Sequence, residues 1–154
     1  MIDIDDQPSV HQAEAHIDQW PVAIKHGGAR TCYPSSLDRI SLPKPETFTS
    51  RETYLATKLH EISHSTVHHS RLNHPIGHGF GTKAYAREEL IAEFASVLAC
   101  LRLGIGYQTE HHASHLKSWA KALKEGGSKE LLKVLSKARQ AADLIAPAPV
   151  LEQE

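Results

Sequence analysis

The stretch HEISH, residues 60–64, constrains this chain more than any other part of its sequence. Apolar residues recur around it at helical intervals, and Thr49 and Glu52 ahead of it have the spacing of a capping box. The pattern predicts a helix. In a helix, His60 and His64 share one face one turn apart, so both imidazoles can reach a single metal ion.

Glu61 occupies the position at which such motifs hold a general base rather than a ligand. A catalytic zinc takes three protein ligands and leaves a position for water, whose pKa falls toward roughly 7. A nearby carboxylate then accepts the proton of that water during attack on a carbonyl. Since two histidines do not complete such a site, we expect the third ligand from a second helix packed across the first.

The run REELIAEF, residues 87–94, can supply that third ligand. Glu89 and Glu93 are four residues apart and share a helical face among apolar residues suited to burial. Both charges are compensated if one carboxylate binds the metal and the other accepts a hydrogen bond from a ligating imidazole. We predict Glu89 as the ligand and Glu93 as the group that orients a histidine. The reverse order, and Glu88 as the ligand, stay open.

Length and composition favour a single domain that folds around its own core. The chain has 154 residues, 40% of them hydrophobic, and we expect a core over about residues 20–146 and a flexible C-terminal tail. Lys plus Arg, 17, nearly balance Asp plus Glu, 18, so there is no strong signal for nucleic acid. Without a leader or a long apolar run, the sequence predicts a cytoplasmic protein that does not enter a membrane.

The order of the apolar patterns predicts an α+β fold. A short helix over residues 9–20 precedes about three short strands, VAIKH, ARTCY and RISLP, which we expect to form a meander. The histidine helix follows, then a loop over residues 70–81 and a long helix over residues 83–103. Two more helices are expected, separated by Gly126-Gly127.

Three segments of the chain, in this order, resemble the zincin-like metallopeptidase domain of ArdC-type antirestriction proteins and TraC-type plasmid primases. They are YLATKLHEISHSTVHHSRLNH, FGTKAYAREELIAEFASVLACLRLGI and HHASHLKSWAKALKE. The resemblance covers residues 24–145 and extends to His60, Glu61, His64 and the acidic helix around Glu89. It implies a zinc-binding peptidase fold, with a small sheet packed on the HExxH helix and three or more further helices, carried on mobile genetic elements.

The resemblance has one departure that bears on partners. ArdC-type proteins usually carry an N-terminal domain that binds single-stranded DNA, whereas only about twenty residues precede the strand region here. We therefore expect no such domain in this chain, and expect a peptide or protein as the substrate. Host restriction proteins and conjugation proteins are the further partners that the resemblance implies.

Two classes of function follow from these motifs. In the first, the chain is a zinc-dependent metallopeptidase with Glu61 as general base, and the sheet edge near RISLP holds a peptide in extended form. In the second, it is a catalytically silent, zinc-stabilised module for antirestriction or conjugation. Glu61 favours the first, because a structural zinc site needs no base. His68, Tyr85 and His112 are further candidates for the substrate pocket, with packing or loop positions as the alternative.

Overall fold

The computed structural model describes residues 8–28, 30–74, 83–106 and 109–147. Within them the chain forms four α-helices and two short strands: α1 (Pro8–Ile17), β1 (Ala23–His26), β2 (Arg39–Leu42), α2 (Arg51–Ser65), α3 (Lys83–Leu103) and α4 (Thr109–Ile145). This confirms the α+β class that the sequence predicts. No described helix is long and apolar enough to cross a membrane.

Helix α2 carries the HExxH motif through the centre of the structure. Its apolar face buries Leu55, Leu59 and Ile62 completely. The helix begins after Ser50, whose side chain accepts a hydrogen bond from the backbone N–H of Thr53 at 3.0 Å. The cap is therefore Ser50 and not the predicted Thr49, because the extended backbone at Ser50 aims its hydroxyl at the first free N–H groups.

The sheet is smaller than the predicted meander and differs from it in direction. Strands β1 and β2 pair in parallel, with Ile24 opposite Ile40. The segment ARTCY contributes only an isolated antiparallel bridge between Cys32 and Ser41. Gly27, with φ of 100°, turns the chain away directly after β1. This leaves residues 27–38 as a crossover rather than a hairpin, which is the connection that parallel strands require.

The bridge between Cys32 and Ser41 lies at the edge of β2 that the sequence predicts to hold a peptide. The N–H of Ser41 donates to the carbonyl of Cys32 at 2.9 Å, and the N–H of Cys32 donates to the carbonyl of Ser41 at 3.1 Å. Both backbone groups of Ser41 are thus already paired. A peptide cannot add to β2 at this position without displacing the bridge.

The core surrounds α2 on two sides. On one side it meets α1 and β2, where Ile40 and Leu42 are fully buried. On the other side α2 packs against α3, which in turn packs along α4. Small side chains line the contact between α3 and α4, and their size lets the two backbones approach closely. The fully or almost fully buried members are Ala95, Ala138 and Ala141.

Polar contacts fix the end of α2 next to the histidines. The indole N–H of Trp20 donates to Ser65 Oγ at 2.8 Å, and Arg71 Nε donates to the carbonyl of Ser65 at 2.7 Å. Arg71 also forms an ion pair with Asp38, the last residue of the crossover. Helix α2 therefore ends at a point held by three separate segments, which limits the freedom of the turn that carries His64.

Helix α4 contains the break that the two glycines predict. Gly127 has φ of 80° and ψ of −179°, a conformation outside the helical region that separates two helical halves. The second half supplies Val134 and Ala142 to the core. Most of the predicted loop over residues 70–81, and nearly all of the predicted flexible tail, lie outside the described residues.

The hydroxyl at the start of α2 offers a direct test of the fold. Replacing Ser50 with Ala removes the partner of the Thr53 N–H and should lower the free energy of unfolding by about 1 kcal/mol. Thr49→Ala is the matched control and should change it little. Urea unfolding of both variants followed by circular dichroism measures the difference. A larger loss in Thr49→Ala would return the cap to Thr49.

Candidate metal centre

Helices α2 and α3 cross at a cluster of two imidazoles and one carboxylate. His60 Nε2 lies 3.4 Å from Glu89 Oε2, and His64 Nε2 lies 3.2 Å from Glu89 Oε1. The two rings are 4.9 Å apart between centroids and stand nearly perpendicular to each other. All three residues offer a ligand atom within 4.8 Å of the others, so the three side chains that sequence analysis selected meet at one point.

The spacing of these atoms fits a tetrahedral metal ion. Zinc binds nitrogen and oxygen at about 2.0–2.2 Å, which at tetrahedral angles puts two ligand atoms roughly 3.3–3.5 Å apart. The Nε2–Oε distances of 3.4 and 3.2 Å, each to a different oxygen of Glu89, are close to that separation. Three protein donors of this kind are the set of an open site, which keeps a position for water or substrate.

The charges of the cluster are compensated within it. Burial by itself lowers the pKa of His64, but the neighbouring carboxylates of Glu88 and Glu89 outweigh it and raise the pKa to about 10. The pKa of His60 is raised in the same way, against burial, by Glu89 and Glu93. Burial would raise the pKa of Glu89, yet the two imidazoles hold it well below its ordinary value. A divalent cation would take the place of the imidazole protons.

Glu61 lies beside the cluster without being part of its ligand set. Glu61 is only 6% exposed. Burial raises the pKa of its carboxyl group, and the nearby His64 and His60 lower it. The net direction is upward, because the loss of hydration outweighs the effect of the two imidazoles. A buried carboxylate next to an open metal position can take a proton from water.

Two further acidic side chains of α3 lie against the outer nitrogens of the histidines. Glu93 is 2% exposed, and its Oε2 lies 2.9 Å from His60 Nδ1. Although the two atoms are close, they lack the geometry of a standard hydrogen bond, so the contact is between charges. Glu88 Oε1 lies 3.7 Å from His64 Nδ1. Sequence analysis considered Glu88 only as an alternative ligand and missed this contact.

The three residues predicted for a substrate pocket differ in position. The hydroxyl of Tyr85 hydrogen bonds with Glu89, which places this ring at the metal centre. His68 instead contacts Ser70, at 2.7 Å, and the ring of His69. Its Nδ1 also lies 3.9 Å from Asp38 Oδ2, so the contacts described for its ring are with its own loop and with Asp38. His112 lies in α4, but its side chain is outside the described part of the chain.

A cleft opens next to His64. It encloses about 560 Å³ of space, part of it open to solvent. Helix α2, helix α3 and the second half of α4 form its walls. Its lining includes apolar, acidic and basic side chains, among them Val67, Ile91, Glu88 and Lys137. Sequence analysis gave no signal for this cleft, because it depends on how α4 packs on α3.

Comparison with known proteins adds to this geometry. The model of a family described as zincin-like metallopeptidase matches residues 11–136. Two DNA primase TraC proteins of Escherichia coli are 43% and 42% identical over 118 residues, which is 76% of this chain but 11% and 8% of the primases. The uncharacterized protein y4eC of Sinorhizobium fredii is 31% identical over 87% of this chain and 44% of its own length. The chain thus spans less than half the length of these relatives.

Two solved structures share the fold. The Mn(II)-bound crystal structure of the antirestriction ArdC protein from plasmid R388 has a TM-score of 0.75 and 32% identity, and the match covers 94% of this chain and 54% of that one. The metal-free crystal structure of the same protein has a TM-score of 0.70 and 33% identity, over 90% and 49% of the two chains. The manganese in the first belongs to that protein and shows that a relative of this fold binds a metal ion.

The two acidic positions on α3 can be separated by metal titration. Glu89→Ala removes the carboxylate that lies next to both imidazoles and should weaken zinc binding the most. Glu93→Ala leaves the donors in place and should cost about 10–100-fold in affinity. Competition with a chromophoric chelator measures both variants. The opposite ranking would make Glu93 the ligand.

Proposed function

We propose that this chain, which belongs to the zincin-like metallopeptidase family, hydrolyses peptide bonds with the help of a zinc ion. The observation that carries this proposal is the combination of three convergent donors with a buried carboxylate that is not one of them. A site that serves only stability normally fills all four positions with protein and has no use for a base. In this chain, Glu61 is the candidate for the base that a catalytic site needs.

The side chains of α2 and α3 have separate tasks in this proposal. His60, His64 and Glu89 would hold the zinc. A bound zinc supplies Lewis acidity, which lowers the pKa of a water molecule toward roughly 7 and polarises a carbonyl. Glu61 accepts the proton of the attacking water and returns it to the leaving amine. Its raised pKa suits both halves of this transfer.

Tyr85 is the candidate for a group that contacts the substrate. Its hydroxyl lies at Glu89, and burial together with the charges of Glu89, Glu88 and Glu61 raises its pKa, so it keeps its proton. A protonated phenol beside the metal, once its single O–H turns from Glu89 to the substrate, can donate a hydrogen bond to the oxygen on which negative charge develops during attack. Of the three predicted pocket residues, Tyr85 is the one whose described contacts support such a role.

A binding module is the second candidate function. The relatives named DNA primase TraC are about ten times longer than the matched segment, so a unit of this kind occurs as one part of larger proteins. The ArdC protein is named for antirestriction. Together with the resemblance to plasmid proteins, the ArdC name favours a role in antirestriction or plasmid transfer, with host restriction or conjugation proteins as partners. In that case the zinc would stabilise a binding surface and Glu61 would be dispensable.

Glu61→Gln separates the two candidates. In the enzyme, this change should leave the fold and zinc content intact and reduce hydrolysis by about 10²–10⁴-fold, since it removes the general base. In the module, it should have no effect. Cleavage of a mixed peptide library by zinc-loaded wild type and variant, followed by mass spectrometry, gives the first measurement. Protection of an incoming plasmid in a restricting host gives the second.

The matched control for this experiment is Glu52→Gln, an acidic residue of the same helix that lies two turns before the motif and contacts Gly106. It should retain cleavage. If wild type cleaves nothing with a full complement of zinc and Glu61→Gln still protects the plasmid, the peptidase proposal is wrong and the module remains.

Tyr85→Phe tests the proposed substrate contact. Removing one hydroxyl should lower kcat by about 10²–10³-fold, the usual cost of losing an oxyanion donor, while KM and zinc affinity change little. Steady-state kinetics on one cleaved peptide and a parallel zinc titration provide the values. A loss of zinc affinity with an unchanged kcat would instead make the tyrosine a support for Glu89.

A further inference from the structure

Each imidazole of the candidate metal centre lies between two carboxylates. The Nε2 atoms of His60 and His64 both face Glu89. On the opposite side of each ring, the Nδ1 atom of His60 faces Glu93, and the Nδ1 atom of His64 faces Glu88. The arrangement is therefore paired, with one shared carboxylate in the middle and one separate carboxylate at each outer nitrogen.

Helix geometry explains how neighbouring acidic residues reach opposite edges of one ring. Successive residues of an α-helix point about 100° apart, so the side chains of Glu88 and Glu89 diverge and can contact the His64 ring from two sides. Glu93 lies one turn beyond Glu89, next to His60, which lies one turn before His64. The two helices thus run in opposite directions across the site, and each histidine has its own acidic neighbour.

We propose that Glu88 is a positioning residue that holds the His64 imidazole in the orientation and tautomer needed to bind metal through Nε2. A histidine that ligates through Nε2 keeps its proton on Nδ1, and a carboxylate facing Nδ1 fixes that proton and makes the other nitrogen a stronger donor. The inference rests on the proposed metal site. It assigns to Glu88 the task at His64 that Glu93 is predicted to perform at His60.

The surroundings of Glu88 support this task over that of a solvated surface charge. Its side chain is only 21% exposed, and the His64 ring beside it is 11% exposed. The adjacent cation on α3, Arg87, forms an ion pair with Glu130 of α4. The carboxylate of Glu88 thus faces the imidazole in a partly enclosed position at the wall of the cleft, where its charge acts through less solvent than on an open surface.

Zinc titration of three variants tests the proposal. Glu88→Ala removes the carboxylate, and Glu88→Gln keeps its shape and one acceptor but removes the charge. Glu130→Gln is the matched control, since it changes the neighbouring ion pair without touching His64. Competition with a chromophoric chelator gives the zinc affinity of each. Long-range ¹H–¹⁵N correlation spectra of the zinc-loaded proteins report which nitrogen of His64 carries the proton.

We expect Glu88→Ala to lose about 10–100-fold in zinc affinity, Glu88→Gln to lose less, and Glu130→Gln to match wild type. The Nδ1 proton signal of His64 should shift or broaden in both Glu88 variants and stay unchanged in the control. Thermal unfolding of the metal-free proteins checks that each variant folds, with Glu88→Gln as the less disruptive of the pair.

Three results would overturn the assignment. Wild-type affinity and an unchanged His64 signal in Glu88→Ala would show that the carboxylate does not act on the ring. A loss of zinc as complete as that in Glu89→Ala would make Glu88 a ligand. If wild type itself takes up no zinc, the proposed metal site fails and the role of Glu88 fails with it, which distinguishes that case from a failure of this inference alone.

Discussion

The rest of the structure depends on the sharing of one carboxylate by two imidazoles where α2 crosses α3. His60, His64 and Glu89 are largely withdrawn from water, and isolated charges there would cost several kcal/mol each. Mutual compensation removes most of that cost and fixes the distance between the two helices. Since β2 and α1 pack against α2, and α4 packs along α3 and also contacts α2, the crossing of α2 and α3 lies at the centre of these contacts.

The sequence predicts the helices of this fold better than its sheet. The bounds of α3 follow from apolar periodicity and from Gly104, whose φ of 73° ends the helix. Strand direction is different, since alternation over four residues looks the same in a parallel and an antiparallel pair. Whether β1 and β2 form a hairpin or a crossover depends on the path of residues 27–38. That path is set by the bridge between Cys32 and Ser41 and by tertiary contacts of Arg71, which no local pattern reveals.

The residues of the candidate site also differ in how far the sequence predicts them. The pair of histidines needs only the periodicity of one helix, and the choice of Glu89 needs only a second helix with an inward acidic face. The contact between Glu88 and His64 requires the direction in which the helices cross. In the sequence alone, a solvated acidic face is an alternative explanation of the adjacent glutamates at 88 and 89. The cleft beside His64 requires still more, because α4 is distant in sequence and forms one of its walls.

Only one segment is common to this chain and its relatives, which limits how much of their function the site can explain. The family match covers residues 11–136, which contain every residue of the cluster, while the matched primases are far longer and the ArdC protein is about twice as long. What is shared is therefore the unit that holds Glu61 and the three donors, and not a whole biological role. The proposed hydrolysis would depend on this unit alone, because its chemistry involves only atoms within a few ångströms of one another. A partner such as a restriction or conjugation protein need not be the same in each relative, since the surfaces that would bind it lie outside the cluster.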